Sequence, residues 1–129
     1  MILYVKSAFN SAHLYHQAKW TEEKNRETFG RCFSPYGHGH NYVLEVGFRV
    51  LATTLESDKH FYQELVNTLT ARLDHEHLNF VIPEFKVAIP TSENIALYFL
   101  GKIKAQVAGN LIHSVKLNET DSIWTEIHP

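Results

Sequence analysis

Apolar and polar positions alternate with a period of two in two segments near the N-terminus. Residues 3–13 interleave apolar and mixed positions without helical spacing, and every second residue from Tyr42 to Phe48 is large and apolar within residues 38–50. This alternation is typical of strands with one buried face. The sequence therefore predicts two strands, separated by the polar residues 17–31, which we interpret as a long loop with room for a helical turn.

Two later segments follow the helical period instead. The first helix is predicted to start at Ser57 or Asp58, and its apolar stripe recurs every four residues. The second is predicted to start after Pro90, with Thr91 or Ser92 as its cap, and to end at Gly109 and Asn110. The stripe residues are Phe61, Leu65, Leu69 and Leu73 in the first helix, and Ile95, Tyr98, Phe99 and Ile103 in the second.

The C-terminal part of the chain has two short β-prone runs, residues 112–117 and 123–127, around a polar NETDS turn. They predict a hairpin, so the element order is β-β-α-α-β-β. Strands kept apart from helices in this way favour an α+β fold, with two helices on one face of a four-stranded antiparallel sheet. With 129 residues there is room for one core, and we expect a single domain over residues 1–129.

Composition narrows the choice of partner and compartment. The net charge of −2 argues against a nucleic-acid surface, which needs clustered basic residues in excess. Cys32 is the only cysteine, so no intrachain disulfide forms. The apolar run at the N-terminus has no basic residues before it, unlike a signal peptide, and it is too short to span a membrane. We expect a cytoplasmic protein with a small-molecule partner.

Histidine is the residue type in excess, with nine in the chain. His38 and His40 lie two apart at the start of a predicted strand, so both imidazoles point to one face. His13 ends the first strand and would lie beside them if the two strands pair. Three nitrogen ligands with a vacant fourth position are typical of catalytic Zn²⁺, although a His-x-His pair alone is weak evidence for a metal.

Two further groups lie close to this cluster in sequence. Cys32 is separated from His38 by a turn, and nearby Zn²⁺ together with Arg31 would favour its thiolate, the form that acts as a base. Asp74 next to His75 is a common way to build a proton relay. The ordinary interpretations are a small buried cysteine and a histidine that contacts a helix C-terminus.

Six ordered motifs, spread over nearly the whole chain, resemble the 6-pyruvoyl-tetrahydropterin synthase family, which includes the 6-carboxy-tetrahydropterin synthases of queuosine biosynthesis. Together they are far more specific than any one alone. They are FNSAHL (9–14), TEEKNRETFGRC (21–32), GHGHNY (37–42), LDHEHLN (73–79), PTSENIA (90–96) and NETD (118–121).

The resemblance implies a role for each matching residue. It makes His13, His38 and His40 the zinc ligands, Cys32 the general base, and Asp74 with His75 its proton-relay partners. It places Thr91, Ser92 and Glu93 in the pterin pocket and makes Glu119 the carboxylate that anchors the pterin ring, a role that suits two acceptor oxygens. From the residues alone, Glu119 would be an ordinary turn residue.

The resemblance also implies a tunnelling-type fold whose subunits form trimers, with their sheets joined into a barrel, and commonly stack into hexamers. Active sites then lie between subunits, so Cys32 and the Asp74-His75 pair need not meet within one chain. The implied reaction is elimination of triphosphate from 7,8-dihydroneopterin triphosphate to give 6-pyruvoyl-tetrahydropterin. Lys19, Lys24, Arg26 and Arg31 are candidates for steering the triphosphate, although a solvated charged loop has the same composition.

Some features leave alternatives open. The stretch ATTLESDK lacks the glycine that the family usually has before the first helix, and the five residues between Cys32 and His38 match the 6-pyruvoyl branch, whereas many 6-carboxy enzymes have three. A 6-carboxy-tetrahydropterin synthase with the same substrate is the nearest alternative. A zinc hydrolase, in which Cys32 would be dispensable, and a non-catalytic pterin-binding relative are the others.

Overall fold

A computed structural model describes residues 1–129. None of its helices is both long enough and apolar enough to cross a membrane. The helices and strands, in chain order, are β1 (Ile2–His13), α1 (Glu22–Phe29), β2 (His38–Arg49), α2 (Leu55–Ala71), β3 (Glu76–His77), α3 (Leu78–Val81), α4 (Ser92–Lys104), β4 (Ile112–Asn118) and β5 (Trp124–Ile127).

The core lies between one face of the sheet and the two long helices. On β2, the alternate residues from Tyr42 to Phe48 are fully buried, as the period-two pattern predicts. Val66 of α2 and Phe99 of α4 belong to the same buried cluster. This confirms the α+β class, with α2 and α4 on one face of the sheet.

The sheet has five strands rather than four, in the order β3-β1-β2-β4-β5. The four long strands pair antiparallel as predicted, but β3 pairs parallel with β1 at Ser11 and Ala12. The prediction of a purely antiparallel, four-stranded sheet is therefore wrong. Strand β3 has only two residues, which is too short for an alternating pattern to be recognised in the sequence. The sheet of one chain is open, with β5 at one edge.

Several boundaries also differ from the prediction. Residues 22–29, predicted as loop, form α1, because Thr21 accepts a hydrogen bond from the Lys24 N–H and two glutamates follow in the first turn. Helix α2 begins at Leu55, before the predicted caps, and α4 ends at Lys104. The buried line of α2 lies one position after the predicted stripe, at Tyr62, Val66 and Thr70, which leaves Phe61 53% exposed.

Candidate active site

The three histidines continue the buried stripe of the sheet to its end. β1 and β2 pair so that His13 lies opposite His38, Ser11 opposite His40, and Phe9 opposite Tyr42. Successive even positions of β2 thus present apolar side chains to the core and then two imidazoles. One ligating atom from each of His13, His38 and His40 lies within 4.8 Å of the others. The predicted cluster is confirmed as a group that could hold a metal ion.

His13 is held in one orientation and kept neutral. Its side chain is fully buried, and this burial is the main reason why its pKa is lowered to about 4. The nearby His38 and His40 lower the pKa further, whereas the hydrogen bond to Pro90 raises it. Nδ1 lies 2.8 Å from the Pro90 carbonyl oxygen, which can only accept, so the proton is on Nδ1 and a lone pair on Nε2. A neutral imidazole whose other nitrogen is engaged in this way is ready to bind a metal.

The donor set fits a metal such as Zn²⁺. Nε2 of His40 is buried and has no hydrogen-bond partner, although a buried nitrogen of this kind normally has one. Nε2 of His38 lies 3.0 Å from Nε2 of His13, and burial lowers the pKa of His38 as well. A cation bound between the nitrogens would satisfy them, and imidazole is a preferred ligand of zinc.

Cys32 lies beside Tyr15 at the edge of this cluster. Its carbonyl oxygen accepts a hydrogen bond of 2.8 Å from the Tyr15 N–H, and the Cys32 side chain is half-buried. The Tyr15 ring packs edge-on against the His13 ring, with centroids 5.3 Å apart. The pKa of Tyr15 is raised to about 12. Burial is the largest cause, and the charges of Glu119, Cys32 and Glu93 add to it. All three groups are therefore near enough to Tyr15 for their charges to act on it.

Asp74 and His75 form a pair as predicted, and neither makes a hydrogen bond to Cys32. Asp74 Oδ1 accepts the Asn10 N–H at 2.8 Å, and Oδ2 lies 2.8 Å from Nδ1 of His75. The Asn10 N–H and then His75 hold the pKa of the Asp74 carboxyl below its usual value. His75 has a φ of 61°, is 84% exposed in its side chain, and makes no hydrogen bond or ion pair to Cys32 or to the metal-site histidines.

The segment of residues 91–93 begins α4 beside the histidine cluster. Thr91 caps the helix, since its Oγ1 accepts the Asn94 N–H at 3.1 Å, and the buried Ser92 accepts a hydrogen bond from Thr125 on β5. Two of the three predicted pterin-pocket side chains therefore have partners within the chain. Glu93 is exposed and close enough to raise the pKa of Tyr15, so its carboxylate is available to a ligand.

The four basic residues proposed to steer a triphosphate lie on or near α1. Lys24 Nζ sits 4.3 Å above the Trp20 ring, and Arg26 pairs with Glu22 at 2.7 Å. These contacts are those of a solvated helix surface.

Three groups of the site are not recognisable from the sequence pattern. Tyr42 is predicted only as a core residue, yet its hydroxyl lies 3.2 Å from Nδ1 of His13, and burial raises its pKa. Tyr15 falls just past the end of β1, where the alternating pattern stops. The Pro90 carbonyl belongs to the main chain and leaves no trace in residue type. The position of Tyr15, two residues after a predicted ligand, is the one available indication.

Comparison with known proteins agrees with the fold. A family model described as 6-pyruvoyl tetrahydropterin synthase matches residues 2–129. The 6-pyruvoyl tetrahydrobiopterin synthase of Poecilia reticulata is 31% identical over 121 residues, which is 88% of this chain and 80% of that protein. An Archaeoglobus fulgidus protein, provisionally named 6-carboxy-5,6,7,8-tetrahydropterin synthase, is 26% identical over 127 residues, which is 98% of this chain and 95% of that protein.

A solved structure gives the same result in three dimensions. The Caenorhabditis elegans 6-pyruvoyl tetrahydropterin synthase superimposes with a TM-score of 0.86 and 29% identity, covering 100% of this chain and 95% of that one. Sequence and fold therefore agree over the whole length. This chain belongs to the 6-pyruvoyl tetrahydropterin synthase family.

Proposed function

We propose that this protein is a zinc-dependent lyase that converts 7,8-dihydroneopterin triphosphate into 6-pyruvoyl-tetrahydropterin with loss of triphosphate. The observation that carries the proposal is the convergence of His13, His38 and His40 into one cluster in a chain of this family. When bound there, Zn²⁺ supplies Lewis acidity that weakens the C–H and O–H bonds of the substrate side chain. Family membership favours this reaction over zinc hydrolysis or pterin binding alone.

The protein groups act on protons and on the pterin ring. Cys32, as thiolate, removes and returns a side-chain proton, and His75, oriented by the ionised Asp74, moves a second one. The ring's amino group and adjacent N–H are two donors side by side, which a carboxylate accepts together. Glu93 and Glu119 are the carboxylates proposed for this role, because the charges of both act on Tyr15 beside the histidine cluster.

A complete site is proposed to need more than one subunit. The His75 side chain is 84% exposed and makes no hydrogen bond or ion pair to Cys32 within one chain. A trimer-based hexamer, in which His75 of one subunit approaches Cys32 of another, would bring the two proton-transfer groups together. The open edge at β5 is available for sheet pairing between subunits.

The decisive experiment is incubation of the zinc-loaded protein with 7,8-dihydroneopterin triphosphate, followed by identification of the pterin product by mass spectrometry. Conversion that stops with a chelator and returns with zinc supports the proposal. The variant Cys32→Ala should keep zinc and lose turnover. Absence of any conversion by the zinc-loaded protein contradicts the proposed function, and normal triphosphate release by Cys32→Ala contradicts the assignment of the base.

The second candidate is 6-carboxy-tetrahydropterin synthesis from the same substrate, with acetaldehyde as the other product. The relative that favours it is the Archaeoglobus fulgidus protein, which aligns with 98% of this chain. The five residues between Cys32 and His38 favour the 6-pyruvoyl product. The same mass spectrum distinguishes the two, since only the second reaction releases acetaldehyde.

A further inference from the structure

The carboxylate of Glu119 lies inside the histidine cluster. Glu119 follows the last residue of β4, and its side chain is only 11% exposed. Its Oε1 atom is 3.3 Å from Nε2 of His13 and 3.3 Å from Nε2 of His40. One oxygen therefore contacts ring nitrogens on two different strands.

These contacts do not have the character of hydrogen bonds. Nε2 of His40 has no hydrogen-bond partner although the oxygen is 3.3 Å away, so the oxygen lies off the direction that a ring N–H requires. In the tautomer selected by the Pro90 carbonyl, Nε2 of His13 has no proton to donate. Lone pairs of oxygen and nitrogen that face one another at this distance repel unless a cation lies between them.

The distances from Glu119 to His13 and His40 are those of neighbouring ligand atoms around a metal. With Zn–N and Zn–O bonds of about 2.0–2.2 Å, neighbouring ligand atoms of a tetrahedral site are about 3.4 Å apart. Both Glu119 distances are 3.3 Å, and the His13 and His38 nitrogens are 3.0 Å apart. We propose that Glu119 is the fourth ligand of the metal in the substrate-free protein, which closes a site of three nitrogens and one oxygen.

This role rests on the proposed function only in that the cluster holds a divalent metal. It adds a step to substrate entry, because Glu119 must leave the metal before a substrate oxygen can take its place. The main chain of Glu119 is fixed by a hydrogen bond of 2.9 Å from its N–H to the Ile123 carbonyl, so the movement is confined to the side chain. The released carboxylate is then free to accept the two donors of the pterin ring.

The test compares Glu119→Gln with Asp121→Asn in the absence of substrate. Both changes remove one negative charge from the same loop, but Asp121 is exposed and lies outside the cluster. Cobalt(II) replaces zinc as a visible-absorption probe, and zinc affinity is measured by competition with a chromophoric chelator. Thermal unfolding, with Glu119→Ala as a second variant, checks that each protein is folded.

The wild-type and Asp121→Asn proteins should give the same cobalt spectrum at every pH from about 6 to 8.5, because a carboxylate ligand has no proton to lose there. In Glu119→Gln and Glu119→Ala a solvent ligand replaces the carboxylate, so the spectrum should become pH-dependent and zinc affinity should fall at least about tenfold. Equal zinc affinity in wild type and Glu119→Gln, or a wild-type spectrum that titrates like the variants, overturns the proposal. Neither measurement depends on turnover. The proposal for Glu119 can therefore fail while the proposed reaction is confirmed, and the reaction can fail while the proposal for Glu119 holds.

Discussion

At the residue scale, His13 shows how burial prepares a metal ligand. Its full burial lowers the pKa to about 4, and its Nδ1 faces the Pro90 carbonyl. At neutral pH the imidazole is therefore uncharged, and a metal does not have to compete with a proton for it. The same burial makes the protein sensitive to acid when the metal is absent.

The metal-free protein should lose stability as the pH falls from about 6.5 to about 4. In the unfolded chain His13 takes up a proton near the ordinary histidine pKa of 6.5, whereas the folded protein delays this until about 4, so the unfolded state binds more protons in that interval. The full effect is roughly 3 kcal/mol. Denaturant unfolding of chelator-treated protein across this range measures it.

The matched variants are His13→Gln, which keeps a donor for Pro90, and His16→Gln, which replaces an exposed histidine. The first should flatten the pH dependence in part, because burial also lowers the pKa values of His38 and His77. The second should leave it unchanged. An identical pH dependence in His13→Gln and wild type would show that burial of His13 is not its source.

At the element scale, the turn before β2 controls the position of His38. Gly37 has a φ of 74°, and a Cβ built on it would lie 2.6 Å from the His13 carbonyl oxygen and 2.7 Å from Nε2 of His77. The turn therefore passes close to β1 and β3 at the point where His13 and His38 lie opposite one another. Gly30 also has a positive φ, 54°, but a Cβ there would meet nothing within 4 Å.

The pair Gly37→Ala and Gly30→Ala separates backbone strain from crowding. Each should cost roughly 1–2 kcal/mol for the left-handed conformation, and Gly37→Ala should lose roughly 1–3 kcal/mol more because a main-chain atom cannot move aside easily. Gly37→Ala should also weaken zinc binding, since His38 follows directly. Equal losses of stability and unchanged zinc affinity in the two variants would contradict this. Thermal unfolding and chelator competition provide the measurements.

How far the sequence predicts each element depends on how much of its pattern is local. The stripe from Tyr42 to Phe48 and the cap at Thr91 are local, and both are confirmed. Helix α1 has no apolar stripe to reveal it, because Asn25 is its one buried residue. The two residues of β3 are set by pairing with β1, and Glu119 reaches the histidines through the strand order β1-β2-β4. Such contacts depend on tertiary structure that a residue pattern does not carry.

At the scale of the whole molecule, one chain brings together only some of the residues proposed for the site. The histidines, Glu119 and Cys32 are grouped around Tyr15 and His13, whereas His75 is 84% exposed on the other side of β1 from β2. A neighbouring subunit is proposed to supply the missing contact. This arrangement allows a test by mixing inactive proteins.

Cys32→Ala and His75→Ala should each be inactive alone, and mixing them under conditions of subunit exchange should restore activity. In a random equal mixture about a quarter of the intersubunit sites contain both intact residues. Turnover per mole of chain, measured against wild type, gives the recovered fraction, and light scattering gives the mass of the assembly. No recovery after demonstrated exchange would place both groups in the same chain. The double variant, mixed with wild type, controls for dilution of intact sites.

The hydrogen bond from His13 to Pro90 has a consequence for how the enzyme can change over time. The acceptor is a main-chain oxygen, so no substitution at position 90 deletes it as long as the path of the backbone is kept. The position of the His13 proton is therefore inherited with the fold rather than encoded by a neighbouring side chain. Of the next residues, Thr91 and Ser92 hold the start of α4 through their side chains, whereas the exposed Glu93 is free to vary without disturbing that arrangement. The side chain at position 93 can thus change while the protonation of the buried His13 is kept.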